Sequence, residues 1–274
     1  MTHIDYLAVG HVSKDLTPDG PVLGGTVSYS GRLAQALGCH TAVLTSSGAD
    51  FAWQDQLPGI ELHVVAAPQT TTFENVYTPH GRVQTLHAQA APLLPGHVPA
   101  AWQRASIVHL APIANEIDPA MIHLFSNSLI GLTPQGWMRC WDENGRVRPA
   151  DWLAAREVLP LATAVILSRE DLRDEDQLDL FRAWSRLLVV TKGYDGCTIY
   201  FDDEIRHLPT RQAQEVNATG AGDIFATAFL LRLHQTRGNP WEAGRFANEL
   251  AARSVELPDI PTKLAEVQKY LQAP

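Results

Sequence analysis

The sequence is poor in cysteine and has no long apolar run. Its three cysteines, Cys39, Cys140 and Cys197, are far apart and form no CxxC pair. This excludes a disulfide framework and a zinc ribbon, and we expect a reducing, cytoplasmic environment. No stretch approaches the roughly 18 consecutive apolar residues of a membrane-spanning helix. The first residues also lack a basic segment followed by an apolar core, so we expect neither a signal peptide nor a membrane partner.

Positive charge is scarce as well. Lys and Arg number 21 against 30 Asp and Glu, which gives a formal net charge of −9. A nucleic-acid binder needs a basic surface to neutralise phosphates, so we expect no nucleic-acid partner. Apolar residues make up 45% of the 274 residues and charged residues 19%. That balance is typical of a globular protein with one core.

Several catalytic motifs are missing. Gly131 and Gly136 have the spacing of a P-loop, but Trp137 and Met138 stand where that motif needs Lys and Ser or Thr. The sequence has no GxGxxG after its first strand, no HExxH and no GxSxG. These absences argue against a dinucleotide dehydrogenase, a zinc protease of that type and an α/β-hydrolase.

What is present is an alternation of apolar strands and amphipathic helices. A strand at residues 6–9, a helix at 27–37 and a strand at 41–44 open the chain as a β-α-β unit. The very apolar residues 187–191 fit the middle of a parallel sheet that is buried on both faces. A long helix is predicted for residues 223–233. Together these patterns predict an α/β fold with a mainly parallel sheet.

Residues 60–92 break this alternation. They carry several short strand-like segments with no helix between them. Together with residues 12–26, they predict a small β appendage on the α/β body.

The most informative segment is residues 217–223 (NATGAGD), directly before the long helix. Its glycines allow a tight turn, and the first amides of a helix have no intrahelical partners. With the positive end of the helix dipole, such amides form a site for phosphate. Asp223 is a candidate general base there, and the helix terminus would keep it ionised. Alternatively, Asp223 only caps the helix, and the spacing does not decide between the two.

This segment resembles the C-terminal signature of the ribokinase-like, or PfkB, carbohydrate kinases. The resemblance implies a three-layer α/β/α sandwich, a single kinase domain over residues 1–274 and a β-strand lid at 12–26 and 60–92. It also implies that the amides of Gly220, Ala221 and Gly222 form an anion hole, that Asp223 is the catalytic base and that Thr219 lies at the phosphate-donor site. The family has Asp and then Thr or Pro before that Thr, where this chain has Asn217-Ala218.

The resemblance extends to the substrate side. Asp15 corresponds to a carboxylate that grips sugar hydroxyls, and Gly24-Gly25 matches a diglycine where the backbone approaches the substrate. Tyr29, preceded by Ser28, stands where the family's sugar kinases usually have Asn. An aromatic ring there makes the pocket less polar, which argues against a standard ribose or fructose-phosphate substrate.

The lid supplies two further expectations. Arg82 lies on a lid strand, where it would either meet an acidic group of the substrate or be a solvated hairpin arginine. An exposed lid strand can also pair with a second chain, so a homodimer through the lid is expected as a partner arrangement.

On the donor side, the resemblance implies ATP with Mg²⁺. Thr191, Lys192, Gly193 and Gly196 match the family's nucleotide loop, in which glycines let a nucleotide lie against the backbone. Asn248 matches an Asn beside the adenine pocket, although an ordinary helix-surface Asn fits the sequence equally well.

The family's Asn-x-x-Glu motif, which organises magnesium and phosphate through water, falls on residues 168–171. Ser168 stands at the Asn position and Asp171 at the Glu position. Asp is one methylene shorter than Glu, so Glu170 is the alternative carboxylate. Either can act on magnesium through a water molecule, because Mg²⁺ keeps several waters.

Short segments narrow the substrate class. Residues 135–139 (QGWMR), residues 195–200 (DGCTIY) and Tyr29 are similar to plant-type inositol kinases of this family. We therefore expect ATP-dependent phosphoryl transfer to a hydroxyl of a small sugar or polyol, with an inositol-like polyol favoured. The alternatives are a nucleoside or other sugar kinase of the same fold, and a non-catalytic regulator that binds a nucleotide or sugar.

Overall fold

A computed structural model describes residues 3–78 and 81–272. The strands in chain order are β1 (Tyr6–Val9), β2 (Ser13–Thr17), β3 (Gly20–Gly24), β4 (Thr41–Ser47), β5 (Glu61–Ala66), β6 (Thr71–Thr78), β7 (Gly81–Ala88), β8 (Ile107–Leu110), β9 (Leu129–Leu132), β10 (Arg139–Trp141), β11 (Val147–Pro149), β12 (Ala164–Ser168), β13 (Leu187–Thr191), β14 (Cys197–Phe201) and β15 (Glu204–Leu208). The helices are α1 (Thr26–Ala36), α2 (Ala155–Val158), α3 (Glu175–Trp184), α4 (Ala221–Gln235), α5 (Pro240–Ser254) and α6 (Ile260–Gln272).

A nine-stranded sheet forms the centre of the molecule. Its strand order is β15-β14-β13-β12-β9-β8-β1-β4-β5. All neighbours from β13 to β5 are parallel, and the hairpin of β14 and β15 adds two antiparallel strands at one edge. The predicted α/β fold with a mainly parallel sheet is confirmed.

Both faces of this sheet are buried, because side chains of a strand point to opposite faces in turn. Tyr6 and Ala8 pack into a core with α1, α4, α5 and α6. Leu7 and Val9 pack into the opposite core, which contains α2, α3 and several 3₁₀ turns. The result is the predicted three-layer sandwich. Among residues 3–78 and 81–272, no helix combines the length and the apolar character needed to cross a bilayer.

A second, smaller sheet has the order β3-β2-β6-β7. The predicted appendage at residues 60–92 was too wide, because β5 (Glu61–Ala66) pairs in parallel with β4 at the edge of the large sheet. Leu62 and Val64 of β5 pack against the core beneath that sheet, and this packing is what draws the segment into it. We call β3, β2, β6 and β7 the small sheet.

A buried carboxylate ties together two loops at the carboxyl ends of β1 and β8. Glu116 is 1% exposed, and its oxygens accept hydrogen bonds from the amides of His11 at 2.8 Å, Ile113 at 3.0 Å and Ala114 at 2.7 Å. Loop amides that are buried away from water must find an acceptor inside the protein. Glu116 supplies that acceptor for both loops, and the sequence pattern did not single it out.

We predict that Glu116→Gln lowers the free energy of unfolding by about 2–3 kcal/mol, since a carboxamide presents N–H groups to backbone N–H donors. Urea unfolding followed by circular dichroism measures this change. The control is Glu157→Gln, which changes an exposed glutamate and should shift stability by less than about 0.5 kcal/mol. Equal stabilities of the two variants would contradict this role for Glu116.

Candidate active site

The predicted site residues meet around the carboxylate of Asp223, in the first turn of α4. Asp15, Arg139 and Asp171, which come from separate parts of the chain, are all close enough for their charges to act on this carboxylate. In an open α/β sheet, ligands bind at the crevice outside the carboxyl ends of the strands. The turn before α4 therefore lies where this fold class places its ligands.

The environment of Asp223 raises its pKa to about 6, mainly because the carboxyl is withdrawn from water. The negative charges of Asp15 and Asp171 raise the pKa further, whereas a hydrogen bond from the Thr26 side chain and the positive charge of Arg139 lower it. The sequence predicts only the helix terminus, which lowers the pKa of this carboxyl. Burial outweighs that effect, and the resulting carboxylate is mostly ionised at pH 7 but readily protonated.

The turn before α4 supplies unpaired amides, although not the full predicted set. Gly220 caps the helix with φ +79°. The amide of Ala221 donates to the carbonyl oxygen of Ala218 at 3.0 Å and is therefore not free to bind a ligand. The amides of Gly220 and Gly222 have no acceptor within the described part of the chain. The prediction of a three-amide anion hole is corrected to two free amides.

The substrate-side residues lie close together on the small sheet and α1. The Asp15 carboxylate accepts a hydrogen bond from the Ser13 hydroxyl at 2.7 Å. It lies so close to Gly24 that a side chain there would come within 2.2 Å of Asp15 Oδ2. Gly25 has φ +87°, and a side chain at that position would collide with the carbonyl oxygen of His11. Both glycines are therefore needed for the backbone to pass beside Asp15.

The Ser28 hydroxyl contacts the backbone of the diglycine turn, and its contact with substrate stays a prediction. The hydroxyl lies 2.9 Å from the carbonyl oxygen of Gly24 and 2.8 Å from that of Gly25, and the residue is 1% exposed. A serine in a first helical turn can satisfy the backbone before it in this way. Ser28 therefore stabilises the diglycine turn.

Tyr29 links the substrate side to the anion turn. Its ring lies against Gly220, where a side chain would come within 2.4 Å of the ring carbon Cδ1. Burial raises the pKa of its hydroxyl, and the charges of Asp223 and Asp15 add to this effect. The phenol is thus neutral and next to the carboxylate, where it makes one wall of the site aromatic. The backbone of Arg82 pairs with Tyr77 in the small sheet, but its side chain lies outside the described residues.

The predicted donor loop follows β13. The hydroxyl of Thr191, the last residue of that strand, lies 3.4 Å from the carbonyl oxygen of Leu167 on β12. The amide of Lys192 donates to the Gly196 carbonyl at 2.8 Å, and Gly193 and Gly196 both have positive φ, which closes a tight turn. The Lys192 side chain is exposed and available to an anion.

Asn248 and Thr219 are the other two residues predicted for the donor side. Asn248 is 5% exposed, and its amide donates to the carbonyl oxygens of Leu208 and Pro209 at 2.9 and 3.4 Å. These bonds tie α5 to the chain at the end of β15, and the contact with adenine stays a prediction. The amide of Thr219 donates to Asn217 Oδ1 at 2.8 Å, so this residue helps to shape the anion turn from within.

Of the two carboxylates predicted for magnesium, Asp171 is the one near Asp223. It accepts hydrogen bonds from Gln135 Nε2 at 2.8 Å and from the Ser168 amide at 3.0 Å, whereas Glu170 is exposed. The Ser168 hydroxyl accepts from the amide of Glu170, so both ends of this turn are capped. No cluster of three or more metal-binding side chains occurs among the described residues. This donor set fits Mg²⁺ held partly by donor phosphates and water.

Sequence reasoning missed two residues of the site. Arg139 supplies positive charge near Asp223 and donates to the carbonyl oxygen of Ile113 at 3.2 Å. Thr26 is 8% exposed and bonds to the Asp223 carboxylate. Arg139 ends the QGWMR segment, which could have identified it. Thr26 follows the diglycine directly, but nothing in its type signals a partner almost 200 residues away.

Comparison with known proteins gives matches to kinases. Residues 142–260 match the family described as pfkB family carbohydrate kinase. A fructokinase from Escherichia coli is 28% identical over 49% of this chain and is matched over about half of its own length, 48%. Inositol 3-kinase from Oryza sativa subsp. japonica is 25% identical, covering 99% of this chain and 74% of that protein. Cytidine kinase from Thermococcus kodakarensis is 25% identical, with 87% and 91% covered.

Solved structures show the same fold. A pyrophosphate-dependent kinase of the ribokinase family, solved with a pyrophosphate analogue and myo-inositol, superposes with a TM-score of 0.80 at 20% identity, covering 96% of this chain and 99% of that one. Ribokinase from Thermotoga maritima gives a TM-score of 0.73 at 18% identity, with 98% and 100% covered. The predicted ribokinase-like fold is confirmed. The matching segment, the kinase-named relatives and the shared fold together support a phosphotransferase enzyme similar to the PfkB carbohydrate kinases.

Proposed function

We propose that the protein transfers the γ-phosphoryl group of ATP to a hydroxyl of a small sugar or cyclic polyol, with an inositol-like polyol as the favoured acceptor. The observation that carries this proposal is the position of Asp223. A carboxylate with a pKa of about 6 lies in the same helical turn as two unpaired amides. A group that takes a proton works best when its pKa is near the working pH, and amides at a helix N-terminus stabilise a phosphate.

In this mechanism, Asp223 accepts the proton of the attacking hydroxyl. Thr26 fixes the orientation of the carboxylate by a hydrogen bond, and Tyr29 shields it from water. Asp15 accepts hydrogen bonds from other hydroxyls of the acceptor, for which carboxylate oxygens are well suited. The amides of Gly220 and Gly222 stabilise negative charge on the group in transfer.

Magnesium fits the donor side, with Asp171 as the nearer carboxylate and Glu170 as the more exposed one. When bound, the ion would offset negative charge on the donor phosphates. Lys192, Gly193, Gly196 and Thr219 would contact the donor. Because Asn248 is committed to backbone carbonyls, no described contact selects adenine, and pyrophosphate is the second candidate donor. The myo-inositol-bound neighbour of this fold takes that donor.

Two observations favour an inositol-like acceptor, namely the aromatic wall that Tyr29 forms and the similarity to an inositol kinase. Tyr29 gives the pocket an aromatic face, which suits the apolar C–H face of a ring polyol. Rice inositol 3-kinase aligns with almost the whole chain. The small sheet, which includes the backbone of Arg82, would act as the lid that excludes water during transfer.

The proposal includes a homodimer formed through this lid. β3 is its more open edge, since Leu86 of β7 already donates to the carbonyl oxygen of Gly145 at 2.8 Å.

The variant Asp223→Asn tests whether Asp223 is a catalytic base or only a helix cap. We predict that kcat falls by about 10²- to 10⁴-fold while KM for the donor changes little, since the amide cannot take a proton. Turnover is measured by release of the phosphorylated product. Asp176→Asn is the matched control, because Asp176 is an exposed carboxylate in the first turn of α3.

The stability of Asp223→Asn as a function of pH is a second measurement on this variant. The pKa of Asp223 is raised from 3.8 to about 6, so the folded state holds a proton more tightly than the unfolded state between these pH values. Above pH 6 the ionised carboxylate therefore lowers stability. Asp223→Asn should raise the free energy of unfolding at pH 8, by up to about 3 kcal/mol, and this gain should vanish below pH 4. A variant that is active, or that is less stable at pH 8, would show Asp223 to be a cap.

A panel of acceptors and donors tests the function itself. The acceptors are myo-inositol, ribose, fructose, 2-keto-3-deoxygluconate and nucleosides, each with ATP or pyrophosphate in the presence of Mg²⁺, and phosphorylated product is measured by mass spectrometry. We predict the highest kcat/KM for myo-inositol with ATP. If a nucleoside is the best acceptor, the protein is a nucleoside kinase and not a polyol kinase. If pyrophosphate is the best donor, the protein uses pyrophosphate and not ATP. Ligand-induced thermal stabilisation without any product would indicate a binding regulator.

A further inference from the structure

A lysine is buried on the helix behind the anion turn. Lys263, in the first turn of α6, is 1% exposed, whereas lysine side chains almost always reach solvent. Its Nζ donates to the carbonyl oxygens of Asn217 at 2.8 Å and Thr219 at 2.7 Å. Within residues 3–78 and 81–272, this ammonium forms no ion pair with a carboxylate. Its charge is therefore balanced mainly by two backbone dipoles.

Those two carbonyls belong to the segment that leads directly into Gly220. The same segment is held at further points, because Asn217 donates from its backbone amide to Val255 at 3.0 Å and from Nδ2 to the carbonyl oxygen of Pro258 at 2.7 Å. These contacts join the segment before Gly220 to α6 and to the chain between α5 and α6. Of the three residues that hold this segment, Val255, Pro258 and Lys263, only Lys263 is charged, and it is the most deeply buried.

Two carbonyl oxygens converging on one cation at 2.7–2.8 Å are also what proteins use to hold a dehydrated potassium ion. An ammonium group and a potassium ion are similar in size and charge. A fixed cation at this point neutralises the oxygens that would otherwise repel an incoming phosphate, and it keeps the turn in one conformation. Burial lowers the pKa of Lys263, and the carboxylate of Asp259 opposes that effect.

We propose that Lys263 is a built-in cation that positions the anion turn for the phosphate donor and makes the site independent of a dissolved monovalent cation. The inference rests on the proposed function, in which this turn binds the phosphates of the donor. Lys263 is a positioning residue, since it acts through the carbonyls of Asn217 and Thr219.

Three variants test this role. Lys263→Met removes the charge and keeps most of the volume, Lys263→Ala also opens the space that the ammonium fills, and Lys269→Met removes an exposed lysine from the same helix. We expect both Lys263 variants to raise KM for the donor and lower kcat/KM by about 10- to 100-fold, because hydrogen bonds from a charged group are lost. Lys269→Met should match the wild type.

Cation rescue separates positioning from a purely structural role. KCl or NH₄Cl should restore donor KM in Lys263→Ala several-fold, whereas tetramethylammonium chloride at equal ionic strength should not, because that ion is too large for the space. Lys263→Met should not respond, because its side chain occupies the space. The wild type should have the same kcat in KCl and in tetramethylammonium chloride. This measurement on the wild type does not depend on whether the variants fold.

Binding of tripolyphosphate, followed by thermal shift, gives a reading without turnover. If Lys263→Ala binds tripolyphosphate more weakly than the wild type and K⁺ restores this binding, the inference is supported. This holds even if the wild type phosphorylates no acceptor, a result that would contradict only the proposed function. Activation of the wild type by K⁺ overturns the inference, as does a folded Lys263→Met with unchanged donor KM and unchanged tripolyphosphate binding. Those two results leave the proposed function standing.

Discussion

In the proposed function, the turn before α4 attracts a phosphate while it holds a carboxylate in the same place, and the rest of the site is arranged around that conflict. Asp15 and Asp171 add negative charge near Asp223, in a protein whose net charge is already −9. The overall field therefore repels a polyanion, and attraction has to be local. The unpaired amides of Gly220 and Gly222, the exposed Lys192 and the nearby Arg139 provide it.

Two buried ions of opposite sign hold the loops that form the site. Glu116 is surrounded by amides of the loops after β1 and β8, whereas Lys263 is surrounded by carbonyls of the segment before α4. Both make hydrogen bonds with several backbone groups. Each of these buried charges satisfies several backbone groups that would otherwise lack a partner inside the protein. The rigidity of the site thus comes from main-chain contacts to side chains that the chemistry itself does not use.

Much of the fold was predictable because it depends on local patterns. The buried strand at residues 187–191 and the long helix predicted for residues 223–233 both have strong periodicity or apolar runs. The appendage bounds were wrong at β5, because a half-apolar strand fits either sheet and only its packing against the core decides. Segments with strong local signals agreed with the structure, and ambiguous ones were settled by long-range contacts.

The site was predictable in its parts and much less so in its details. The identity of Asp223, Asp15 and the glycines follows from motif resemblance. The orientation of a side chain does not, and for that reason Ser28 and Asn248 turned out to face the backbone and the amide of Ala221 to be occupied. Thr26, Glu116 and Lys263 had no sequence signal, since each acts on residues that only the folded chain brings near.

Direct titration of the Asp223 carboxyl tests most sharply whether a half-buried, readily protonated carboxylate sits in the anion turn. Carbon-13 NMR of protein labelled at aspartate carboxyls, with the spectrum of Asp223→Asn used to assign the resonance, follows its protonation with pH. The account predicts a midpoint of about 6 that rises when Arg139 is replaced by Met, because the positive charge near the carboxylate is lost. A midpoint near 4 that does not respond to Arg139 would show an exposed helix cap and contradict the account.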